Sequence, residues 1–170
     1  LEALLNIRNL ALGFAVLFLA RINGLLYIIN TINDEDLIER SVKKLILNTI
    51  PFLVFFLFFI ISLLLSAGFA ADSATGTITI EKYKYLYNFI EMPVVMGIFL
   101  SGVVGVLYGI AISLFRKSTK GIWFSGAGTV LVVFSLFIVA GFNGTSFYPS
   151  SSDLRSSLTI SNASSSLFTL

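Results

Sequence analysis

The 170-residue sequence contains no cysteine and no histidine. Without cysteine there are no disulfides, no thiolate metal sites and no cysteine nucleophile. Without histidine the commonest haem and metal ligand and the commonest general base are gone. This sequence therefore holds no His-ligated cofactor itself. Charge is also scarce: Asp, Glu, Lys and Arg make up 12% of the residues, against about 25% in soluble domains. The net charge of +2 does not point to nucleic acid, because the basic residues sit in short clusters between apolar runs, as membrane flanks do.

The sequence is rich in apolar residues, which make up 56% of the chain. Leu45 to Ala71 carries no charge and has Phe, Leu or Ile at nearly every central position. About 20 helical residues cross a hydrocarbon core of about 30 Å. A helix that is apolar on every side lies in lipid or deep inside a large protein, and a chain of this size has no core to hide several of them. The expected fold is all-α: a polytopic transmembrane bundle with four spans at about 10–32, 45–71, 87–115 and 121–141.

The connecting segments fit this reading. Asn33 to Lys44 has its acids first and its bases last, which suits a solvated helical extension. Asp36 and Arg40, like Glu39 and Lys43, stand four apart with the acid first, the better order for a surface pair. In the loop from Asp72 to Lys84, Thr77 to Ile80 alternate as a short strand or hairpin would. Tyr83, Tyr85 and Tyr87 cluster before the third span, as interfacial aromatics do. The loops after spans one and three carry Arg40, Lys43, Lys44, Arg116, Lys117 and Lys120, and the other side carries Arg8, Lys82, Lys84 and Arg155. The positive-inside rule puts the first set in the cytoplasm and turns the Ser-rich tail, 142–170, outward. Leu1 is not an initiating Met, and both ends read as cut from a longer membrane protein.

Two features inside the spans call for partners. Arg21 lies about 17 Å along its span, near the midplane, where an arginine costs about 2.5 to 3.5 kcal/mol and cannot shed its proton. Glu91, about one turn inside the third span, is the expected partner in an intramembrane Arg21–Glu91 pair. The alternatives for Arg21 are another subunit, a lipid or quinone headgroup, or a water pocket. Gly97, Ser101, Gly105 and Gly109 recur every four residues, a small-residue stripe of the kind that lets membrane helices approach closely. Asn23, Asn30, Asn88 and Tyr108 suit interhelical hydrogen bonds.

The tail carries a more specific pattern. Pro149-Ser-Ser, Ser157-Leu-Thr-Ile, Asn162-Ala-Ser-Ser-Ser and Phe168-Thr-Leu resemble, in content and spacing, the segment before the last helix of subunit II of cytochrome bd-type quinol oxidases. Ala140-Gly141, Tyr85-Leu-Tyr-Asn-Phe-Ile-Glu-Met-Pro, and Leu4-Leu-Asn with Leu10-Ala-Leu-Gly resemble helix boundaries of the same family. The resemblance covers essentially the whole chain, as the C-terminal half of that subunit. It implies a haem-free structural subunit of a complex that oxidises quinol and reduces oxygen to water in the cytoplasmic membrane of a prokaryote. It also implies a partner, subunit I, that carries haems b and d and the quinol-oxidising loop. Membrane lipid and a structural quinone are further expected partners. The resemblance supplies no catalytic, cofactor-binding or metal residue within this sequence. The competing class is a piece of a transporter or channel whose Arg21 and Glu91 line a substrate path. It predicts an inverted repeat, which these spans lack.

Overall fold

In the computed structural model, residues 6–71, 78–116, 118–148 and 158–159 are described. Their element order is α1 (Ile7–Thr31), α2 (Glu35–Leu64), β1 (Gly68–Ala71), β2 (Ile78–Glu81), α3 (Lys84–Glu91), α4 (Pro93–Arg116), α5 (Gly121–Gly141), β3 (Ser146–Tyr148) and β4 (Leu158–Thr159). Four of the helices, α1, α2, α4 and α5, are long and apolar enough to cross a membrane. The all-α membrane bundle expected from hydropathy is the architecture found. The chain divides into two units, Leu1–Ser62 with Phe99–Val132, and Leu63–Ile98 with Val133–Leu170.

In the first unit α1 and α2 form a helical hairpin. Asn6 caps α1 by accepting from the Arg8 N–H at 3.0 Å, and Asp34 caps α2 by accepting from the Leu37 N–H at 3.1 Å. The 30 residues of α2 would span about 45 Å, longer than a hydrocarbon core of about 30 Å, so its charged first third runs on as a solvated extension. There Glu39 and Lys43 pair at 3.0 Å, and both are exposed. Pro51 lies inside α2 and offers no N–H to the turn before it. Just ahead of it, Asn48 and Thr49 donate to the Lys44 and Leu45 carbonyls, each at 2.7 Å. Phe14 and Phe18 both stack on Phe55, with ring centroids 5.0 and 6.1 Å apart. The core joins Ile22, Leu26 and Ile29 of α1 to Leu45 and Phe52 of α2 and to Val106 and Ile110 of α4.

The second unit holds the hairpin and the short helix. The apolar run that opens at Leu45 is helical only to Leu64. Ser66 closes it by donating to the Leu63 carbonyl from both its N–H and its hydroxyl, and Gly68–Ala71 then pairs antiparallel with Ile78–Glu81. The alternation at Thr77–Ile80 thus marks one arm of a hairpin whose other arm is the apolar end of that run. Ala70 also bridges to Thr145, and β3 pairs with β4. The third apolar stretch is broken at Met92, which leaves helical geometry (φ −114°, ψ 70°), and Pro93 opens α4. A residue before proline is pushed out of the α region, while proline itself is well suited to a first helical position. The rest of the Ser-rich tail, including most of the motif residues quoted above, lies outside the described residues.

Candidate functional site

Among the described residues, three constellations of small or polar side chains join one element to another. The first is a seam between α4 and α5 in the first unit. A methyl built on Gly109 would lie 2.5 Å from the Gly121 carbonyl oxygen and 2.7 Å from the Ser125 nitrogen. One built on Gly128 would meet the Gly102 oxygen at 2.5 Å and the Val106 nitrogen at 2.7 Å, and one on Gly102 would meet the Gly128 oxygen at 2.8 Å. The two backbones touch wherever these side chains are missing.

Of the four residues in the sequence stripe, Gly105 and Gly109 face this seam, Ser101 is exposed, and Gly97 has nothing within 4 Å of an added methyl. Helical geometry explains the difference. A step of four residues advances about 40° past a full turn, so three steps carry Gly109 about 120° away from Gly97. The face used runs through Gly102, Gly105, Gly109 and Ser113, in steps of three and four. Its counterpart on α5, Gly121, Ser125 and Gly128, was not singled out from the sequence. Its signal was a pair of glycines seven apart with a serine between them.

The second constellation, also in the first unit, is a small polar chain. Ser125 donates its hydroxyl to Asn23 Oδ1 at 2.6 Å, Asn23 Nδ2 reaches Thr129 Oγ1 at 3.5 Å, and Thr129 donates to the Ser125 carbonyl at 2.8 Å. Asn23 thus makes the interhelical bond expected of it. Two residues before it, Arg21 is exposed on α1.

The third constellation lies in the second unit, around Asn88, which is fully buried in α3. Asn88 Nδ2 donates to the Val139 carbonyl at 2.8 Å and to Thr145 Oγ1 at 2.7 Å. Asn143 Nδ2 donates to Asn88 Oδ1 at 3.3 Å and to the Glu91 carboxylate. Asn143 holds a left-handed backbone, φ 59°, which asparagine tolerates better than most residues, and the turn aims its amide back at α3. Glu91 is the last residue of α3, ahead of the break at Met92, and its carboxylate is exposed. Nearby, the largely buried Lys84 pairs with Glu81 at 3.3 Å. All the buried polar side-chain atoms among the described residues have a partner.

The first two are made of amides, hydroxyls and bare backbone, and the third adds the Glu91 carboxylate; all three fix one element against another. With neither His nor Cys, the sequence lacks two of the usual haem ligands, and no cluster of His, Cys, Asp and Glu that could hold a metal ion occurs among the described residues.

The four apolar spans with their polar and small-residue seams define a multi-pass α-helical membrane protein. Within that class, the chain belongs to the family of cytochrome bd terminal oxidase subunit II, whose pattern it matches over residues 1–170. Neither a curated protein nor a solved structure gives a match.

Proposed function

We propose that the chain serves as the haem-free structural subunit of a bd-type terminal oxidase, which oxidises quinol and reduces oxygen to water in the respiratory chain of a prokaryote. The observation that carries this reading is the whole-length family match in a chain whose sequence offers no His or Cys to hold haem. Haems b and d and the quinol-oxidising site then belong to subunit I. This chain supplies membrane-embedded surface for that partner, for lipid and for a structural quinone. The basic loops face the cytoplasm, and the hairpin, α3 and the Ser-rich tail face outward.

The test is affinity purification of the protein from its native membrane. A haem-bearing partner with the absorption bands of haems b and d, and quinol-driven oxygen uptake in the purified sample, are the expected results. Recovery of the chain without any haem protein would refute the proposal.

A further inference from the structure

We infer that the basic end of the first unit is a docking surface for anionic phospholipid headgroups, into which Arg21 reaches from within its span. The depth of Arg21 follows from the register of the spans, whatever complex the chain joins. Phe14 and Phe18 flank Phe55, so the α1 turn between them is level with Phe55 on α2. The two helices run antiparallel. Arg21 is then level with about Ile50, and Lys44, where the uncharged run begins, is six residues nearer the end, about 9 Å at about 1.5 Å per residue. The Asn23–Ser125 contact gives nearly the same answer from the other side, placing Arg21 about 10 Å from the level of Lys120. A midplane residue would be about 15 Å from either edge of a core about 30 Å thick. Register with its neighbours therefore moves Arg21 from the middle of the membrane toward the basic end, into the range that a snorkelling arginine and local thinning of the bilayer can bridge.

The surface along that path is open. Gly24, one turn nearer the end on the same side of α1, is exposed and has nothing within 4 Å of an added methyl. The guanidinium can lie along bare backbone instead of climbing over a side chain. Four cations at this end also lack acids of their own. Among the described residues of the unit, Arg21, Lys44, Arg116 and Lys120 form no ion pair, and Glu39 is taken by Lys43. Asp34, Glu35 and Asp36 stand about 12 to 15 Å beyond Lys44 along α2, well outside the lipid boundary. Trp123 and Phe115, 73% and 85% exposed, stand within a turn of Lys120 and Arg116, where interfacial aromatics belong. Cations without an ion pair among the described residues, beside exposed aromatics and apolar helix faces, are complementary to a phosphate carrying acyl chains.

The experiment compares the assembled complex in nanodiscs of phosphatidylcholine alone and with phosphatidylglycerol added, read by thermal unfolding and by native mass spectrometry of retained lipid. The wild-type complex should gain stability from phosphatidylglycerol and carry the lipid through desolvation. Arg21→Gln should lose more than half of both, Arg21→Lys should keep most, and Glu91→Gln should keep all. If Arg21→Gln does not assemble, Gly24→Leu, which blocks the path and leaves the charge, should lose a similar share. Full retention of the lipid effect in Arg21→Gln or Gly24→Leu would overturn the proposal. So would equal, non-additive losses in Arg21→Gln and Glu91→Gln in both lipid mixtures, which is the signature of an Arg21–Glu91 pair instead.

Discussion

The α4–α5 seam and the cluster around Asn88 each hold helical backbone in place, by opposite means. At the seam, side chains are missing: Gly102, Gly109, Gly121 and Gly128 let carbonyl oxygens and amides of two helices come together. Around Asn88 a side chain is present and fully used, with two bonds donated and one accepted in a site without water access. Lipid tails are as apolar as leucine, so hydrophobicity gives two membrane helices no reason to prefer each other. What remains is close packing, favoured where backbone meets backbone, or hydrogen bonds that lipid cannot replace. The first unit uses mainly the former and the second the latter.

The sharpest way to break the seam is Gly109→Val. The added methyls would enter the space of the Gly121 carbonyl and the Ser125 amide, which are backbone atoms and cannot rotate away. A loss of about 3 kcal/mol is expected, the upper part of the overpacking range, and should appear as loss of the assembled complex in size-exclusion chromatography. Asn88→Leu breaks the other junction. It strands the Val139 carbonyl, the Thr145 hydroxyl and the Asn143 amide, and about 2 kcal/mol should be lost in thermal unfolding. Asn88→Asp should not restore it, because a carboxylate cannot donate to Val139.

Ser125→Ala separates the two mechanisms within the seam itself. It removes the bond to Asn23 and leaves the close approach intact, so a loss of only about 0.6 kcal/mol is expected. A much larger loss would show that the hydrogen bonds, and not the packing, hold α5. Gly97→Ala should change stability by less than about 0.5 kcal/mol, because the methyl meets nothing. A large effect there would identify Gly97 as a contact for a partner chain.

The contrast also shows which features could be read before the chain was folded. The spans, the helical extension before Lys44 and the strand-like alternation before Lys82 follow from local composition and period. The family could be read from motifs near the chain's end together with weaker matches along the helices. The packing face of α4 was only half legible. A four-residue repeat looks like a stripe on paper but winds around the helix, so Gly97 and Ser101 leave the face that Gly105 and Gly109 keep. Asn143 had no local signal at all, since a turn asparagine 52 residues away from Glu91 declares its target only when the turn is built.

By itself the sequence determined that this chain belongs in a membrane, that it holds four apolar runs long enough to cross one, and that none of its own residues is a histidine or cysteine ligand for a cofactor. Those properties are sums over residue types and short periods, which folding cannot change. Only the tertiary structure decided which glycines touch, which asparagine is buried, and which residues of α2 and α5 stand level with Arg21. Contact and level belong to pairs of helices, and their register is set by packing, not by position along one chain.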